Sequence, residues 1–182
     1  MVRIPIPQSG NLSDQQQVVF DAIASGPRGE VVGPLAVWLH RPQLADRAQK
    51  LGQYCRYDSS LPPRLSELAI LVTARIWDAE FEWQSHEPPA RAAGLDGQII
   101  TALANDQDPA FINEDEAIVY EVSRRLNIER GIDLDLYHRA EKLLGRDRLV
   151  DLIGVLGYYS LISMTIKAFD VDPIPQDKAD RG

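Results

Sequence analysis

Glu67-Leu68-Ala69-Ile70-Leu71-Val72-Thr73-Ala74-Arg75 decides how this chain is read. The run is apolar at nearly every position, and a helix that is apolar all round belongs in a core. The spacing predicts such a helix from about Arg64 to Trp77, opened by Pro62-Pro63. It nevertheless carries a carboxylate, Glu67. The next predicted helix holds Glu82-Trp83-Gln84-Ser85-His86, where Glu82 and His86 lie one turn apart on one face. A buried carboxylate must be paired or have its pKa displaced, and either condition suits a catalytic acid or base.

Outward from this pair of helices the pattern stays helical. Ser13 with Gln16 is a capping-box signature for a helix to about Ser25, ended by Gly26-Pro27-Arg28-Gly29. Gly33-Pro34 starts a short helix near Leu35, and Pro42 fits the first turn of the next, with Leu44, Ala48 and Leu51 at helical spacing. The segment from Ala79 to Ala93 contains Pro88-Pro89, which predicts a kink or break, with Gly94 as C-cap. Asp96, Asn113 and Asp133 each open a further helix, the last ending at Gly145, and a long helix runs from about Arg146 to Phe169. No segment alternates with period two, so no strand is predicted. One all-α domain spans residues 1–182, with extended arms at about 1–11 and 171–182.

The chain has 182 residues, 45% hydrophobic and 25% charged, enough for one substantial core. Nineteen basic against 27 acidic residues leave a net charge of −8, which argues against a nucleic-acid partner. A small anion held by one or two arginines remains compatible with it. The apolar segment from Leu149 to Phe169 is interrupted by Asp151, Gly154, Gly157 and Lys167, so no membrane span is expected. Met1-Val2-Arg3-Ile4-Pro5 has no apolar run of signal-peptide length, and a cytoplasmic location is expected. The single cysteine, Cys55, can form no internal disulfide.

Glu67, Glu82 and His86 together are the candidate acid–base group. Singly, each is more simply a capped, paired or satisfied core residue; packed antiparallel, the two helices would bring all three to one place. As metal ligands they are a weak set, because no second Glu-x-x-His pair or His-x-x-x-His accompanies them, so no metal is expected. Arg75, eight residues after Glu67 on nearly the same face, could neutralise Glu67 or bind a substrate carboxylate bidentately. Trp83 could wall a pocket or belong to the core. Tyr158-Tyr159 reads as packing, with a subunit contact as the other possibility. Asn113-Glu114-Asp115-Glu116 reads as an ordinary acidic helix start. Phosphate-binding loops and a Gly-x-Ser-x-Gly elbow are missing.

The segments Gly33-Pro34-Leu35-Ala36-Val37-Trp38-Leu39-His40, Arg64-Leu65-Ser66-Glu67-Leu68-Ala69-Ile70-Leu71-Val72 and Glu82-Trp83-Gln84-Ser85-His86-Glu87-Pro88 resemble the carboxymuconolactone decarboxylase family, within the alkylhydroperoxidase-like superfamily. Ala90-Arg91-Ala92-Ala93-Gly94-Leu95 continues the match, which covers roughly Asn11 to Phe169. The resemblance implies an all-helical bundle that forms homo-oligomers, commonly trimers or hexamers. In the peroxidase branch a Glu is followed by Cys-x-x-Cys and a His. Glu67 and His86 stand at the Glu and His, whereas Ala79 and Glu82 stand at the cysteines. The decarboxylase branch, with Glu and His at i and i+4, is the better likeness.

The function so implied is a cofactor-independent lyase acting on a carboxylated lactone, a small anionic substrate, in aromatic-compound degradation. Glu67, Glu82 and His86 would be catalytic, and Arg75 and Trp83 would bind substrate. A hydrolase, isomerase or redox enzyme of the same superfamily and a non-catalytic oligomeric binding protein are the alternatives. Convergence of Glu67, Glu82 and His86 favours an enzyme; separate structural pairs favour the bland reading.

Overall fold

At the centre of the molecule lies the helix read first from the sequence. The structure, a computed structural model, describes residues 2–174. Its elements in chain order are α1 (Asp14–Ala24), α2 (Gly33–Trp38), α3 (Pro42–Gln53), a π turn (Tyr54–Asp58), α4 (Pro63–Ile76), α5 (Glu80–Ala92), α6 (Gly97–Ala104), α7 (Glu114–Ile128), α8 (Leu134–Leu144) and α9 (Arg146–Phe169). Among the described residues there is no strand, so the expected all-α fold is the one observed. Of the terminal arms, residues 2–12 and 171–174 run without helix, and 175–182 lie outside the described residues.

α4 is buried from Leu65 to Ala74 without a gap, enclosed by α5, α7 and α9. Each large aliphatic side chain taken fully out of water there stabilises the fold by about 1.5–3 kcal/mol. Polar ties set the directions of the neighbours. Arg64 pairs with Asp115 and Glu116 at the starts of α4 and α7, and Asn127 meets Thr73 and Trp77 at their ends, so these two helices run parallel. Asp151 accepts from Ser60 just before α4, and Lys167 reaches Asp78 just after it, which makes α9 parallel to α4 as well. α9 is long and apolar enough to cross a membrane, but 56% of its apolar window is packed inside the protein.

Several helix ends form as the sequence predicts. Ser13 and Gln16 make the reciprocal capping box, and Asp96 and Asp133 cap α6 and α8. Two expectations need correction. α5 passes uninterrupted through Pro88-Pro89. The prolines forfeit two backbone bonds close to the end of the helix, and buried Ala90 and His86 hold that turn against the core. Gly94 is the residue after the C-cap, which is Ala93. With φ +85° it donates to Arg91 while Leu95 donates to Ala90, a Schellman closure. The acidic start of α7 forms as expected, with Glu114, Asp115 and Glu116 in its first turn, and Glu116, 3% exposed, is in addition paired with Arg64.

Candidate active site

The bend between α4 and α5 creates the site. Asp78 adopts a left-handed conformation, φ +48°, and donates its N–H to Arg75, while Ala79 donates to Ala74. This second Schellman closure turns the chain back within three residues, so α5 lies antiparallel on α4. Glu67, ahead of the bend, then faces Glu82 and His86 beyond it.

All three side chains meet. Glu67 Oε2 lies 2.7 Å from His86 Nδ1, and Glu82 Oε1 lies 3.0 Å from His86 Nε2. Each ring nitrogen thus has its own carboxylate, one from the same helix and one from the next. Exposure is 7% for Glu67, 5% for Glu82 and 2% for His86. Burial pushes the imidazole pKa down, but the hydrogen bonds and charges of Glu67 and Glu82 outweigh it, and the net displacement is upward. Charge-assisted bonds of this length favour the imidazolium, with both N–H groups donating. Because the carboxylates sit at the two ends of the ring, they do not converge on a common point. Among the described residues no group of three His, Cys, Asp or Glu side chains is placed to hold a metal ion.

The other two expected site residues are placed differently. Trp83 is mostly buried beside the triad, and its indole N–H donates to Glu87 at 3.0 Å on its own helix. Arg75 does not join the triad. Its guanidinium grips Asp106 with two bonds, of 2.8 and 2.6 Å, at the surface. Eight helical residues carry it about 12 Å along α4 from Glu67. A cleft of about 190 Å³ beside it, lined by Val72, Leu103, Asp106 and Tyr120, includes none of the triad. Nor does a larger one, about 350 Å³, around Asp108, Phe111, Tyr120 and Arg124. The chemistry is placed by the triad rather than by these clefts, whose side chains hold no comparable acid–base array.

One neighbour of the triad is read from sequence only as packing. Tyr159, 1% exposed, sets its ring edge-on to His86 with centroids 5.0 Å apart. Its hydroxyl has no hydrogen-bond partner among the described residues. Burial, and then the charge of Glu82, drive its pKa well above the ordinary phenol value, so it is a neutral donor. Tyr158 packs against Tyr159 at 5.2 Å and is also buried, which settles the tyrosine pair as core rather than subunit contact. Nothing local to the α9 sequence signals this, because Tyr159 and His86 are 73 residues apart and meet only through tertiary packing.

Comparison with known proteins finds a family likeness over part of the chain and a likeness of fold over nearly all of it. Residues 42–117, from α3 to the first turn of α7, match the Carboxymuconolactone decarboxylase family, in agreement with the resemblance read around Glu67 and His86. Among curated proteins, none matches the chain by sequence. The fold is similar to that of an uncharacterized peroxidase-related protein from Silicibacter sp. TM1040, with a TM-score of 0.77 and 13% identity over 96% of this chain and 93% of that one. It is equally similar to the alkylhydroperoxidase AhpD core, an uncharacterized peroxidase-related protein from Ralstonia eutropha JMP134, with a TM-score of 0.76 and 12% identity over the same shares.

Proposed function

We propose that this protein, which carries the carboxymuconolactone decarboxylase segment on an alkylhydroperoxidase-like fold, is a cofactor-independent decarboxylase of a small carboxylated lactone. The observation that supports this reading is the buried array of Glu67, His86 and Glu82, with a carboxylate on each ring nitrogen. In a lactone whose leaving carboxylate is conjugated through a double bond to the ring carbonyl, that carbonyl can receive the electron pair. The carbon–carboxylate bond breaks, CO₂ departs, and a dienolate remains. A proton then adds to carbon. Both His86 N–H groups are bonded to carboxylates, so the proton passes from the imidazolium through Glu82 or Glu67 to the carbon, and solvent then reprotonates the ring by the same route. Placed proton transfer is worth roughly 10²–10⁴-fold, and each positioned donor at the developing oxyanion about 3–4 kcal/mol.

Thiol-dependent peroxide reduction, suggested by the names of the structural neighbours, fits these residues poorly. Ala79 and Glu82 occupy the positions where the peroxidase branch carries its cysteines. Cys55 is 1% exposed, and burial pushes its thiol up to about 11, so the nucleophilic thiolate is scarce. The test is a panel of lactone carboxylates with CO₂ release as readout. Turnover that His86→Gln abolishes, with the variant still folded, supports the reading. Turnover of none of the panel, or peroxide reduction at the expense of thiols, overturns it.

A further inference from the structure

We propose that Arg28 and Tyr159 form the ligand-holding half of this site, Arg28 taking a carboxylate of the ligand and the Tyr159 hydroxyl donating to its carbonyl oxygen. The inference rests on the acid–base reading of Glu67, His86 and Glu82, and it supplies what that triad lacks, a cation and a neutral donor not already engaged by its carboxylates.

Arg28 lies in the connection after α1 and reaches inward to α9. Its Nη2 donates to the Tyr158 hydroxyl at 3.3 Å. From there the path to the triad is continuous: Tyr158 to Tyr159 is 5.2 Å between ring centroids, and Tyr159 to His86 is 5.0 Å. Gly52 of α3 makes the meeting possible. A Cβ at that position would stand 2.2 Å from the Tyr158 hydroxyl and 2.5 Å from Arg28 Nη2. Both side chains thus occupy space on the bare backbone of Gly52 that any larger residue would fill.

Two buried donors at this place have no protein partner among the described residues. One is the Tyr159 hydroxyl and the other is Arg28 Nε. A buried donor without an acceptor costs about 1–3 kcal/mol, more for a charged group, and an acceptor supplied by a ligand removes that cost. Arg28 also has no carboxylate partner among the described residues, although acidic residues outnumber basic ones 27 to 19. Arg64, Arg75, Arg91 and Arg139 have one, and Arg41, Arg47 and Arg148 have none among these residues but are exposed to water; Arg28 is without one and half-buried. The Arg56 charge acts on both tyrosines from the π turn and adds to the positive field. A guanidinium without a carboxylate, separated by Tyr158 from an unpaired phenol and an acid–base triad, matches a small carboxylate that also carries a carbonyl.

The probe is paraconate, a saturated lactone bearing one carboxylate, which lacks the double bond that carries the electron pair. Titration calorimetry on the full chain compares it with its methyl ester. Paraconate is expected to bind the wild type, and Arg28→Gln to weaken it at least tenfold. Arg28→Lys, which keeps the charge, should retain binding within a few-fold, so a loss confined to Arg28→Gln is one of charge and not of fold. The ester should bind more weakly and without regard to Arg28, and Tyr159→Phe should weaken both compounds several-fold. Absence of paraconate binding, or equal binding by Arg28→Gln and wild type, overturns the proposal. Arg28-dependent binding in a protein that releases CO₂ from no lactone would leave this subsite standing and remove the decarboxylase reading. Turnover with a KM indifferent to Arg28→Gln would do the reverse.

Discussion

Replacing Glu67 by glutamine tests the triad without any substrate. The change keeps the side chain's shape and an acceptor for His86 Nδ1 and removes one negative charge 2.7 Å from a buried ring. A charge-assisted hydrogen bond, about 1.5–3 kcal/mol, becomes a neutral one of about 0.5–1.5 kcal/mol, a loss of about 1–1.5 kcal/mol. The sign with pH follows from the raised imidazole pKa, which burial opposes and the two carboxylates produce. The stabilisation of the imidazolium is complete below the ordinary value of about 6.5 and fades as pH rises through the elevated folded value. The variant's deficit should therefore be largest near pH 6 and shrink toward pH 10. Urea unfolding across that range measures the deficit. The His86 Cε1–H resonance, one of three histidine signals, reports a pKa that falls in the variant. A deficit constant with pH, or a His86 pKa unmoved by the substitution, would refute the paired imidazolium.

Arg75→Gln breaks a pair whose Asp106 side chain is 70% exposed, so it should cost no more than about 1 kcal/mol by thermal unfolding and leave turnover intact. Gly33→Ala should cost about 2–4 kcal/mol, because the residue sits at φ +56° and its new Cβ would stand 2.3 Å from the Phe81 ring; a melting temperature equal to wild type would contradict that packing. Cys55→Ser should preserve activity, assayed as CO₂ release, since this thiol lies among core side chains and has no place in the proposed chemistry. Val150, Ile153, Leu161 and Met164 form an exposed apolar stripe on α9, and a homo-oligomer should appear by light scattering at micromolar concentration.

Helix order and most helix ends were legible because they rest on local chemistry. A Ser13 hydroxyl, an Asp96 or Asp133 carboxylate, or a proline in a first turn acts within four residues of itself. The π turn at Tyr54–Asp58 was not legible, since it continues a helical pattern and differs only in backbone bonding. The proline pair misled for the opposite reason: the local penalty is real, but tertiary packing exceeds it. At the site the same boundary applies. Glu82 and His86 are one turn apart and readable at once, and Glu67 follows because two helices joined by a short bend pack antiparallel. Arg75 stands apart from the triad because Asp106, 31 residues away, holds it at the surface. Arg28 and Tyr159, 131 residues apart, share no pattern that a sequence displays.

The hairpin of α4 and α5 is a frame whose chemistry depends on what its positions hold. A fold shared at 13% identity with a peroxidase-related protein establishes the frame and leaves the activity to the side chains. By the family resemblance, a thiol at the position of Glu82 would stand one turn before the histidine and draw on it for activation. A carboxylate there does something different: at 3.0 Å from Nε2 it cannot act as a redox centre, and it stabilises positive charge on the ring. Glu67 does the same from Nδ1. The exchange of sulfur for oxygen at one helical position therefore converts a histidine that would serve a nucleophile into one that holds a proton ready to give. A carbanion produced by loss of CO₂ requires such a proton.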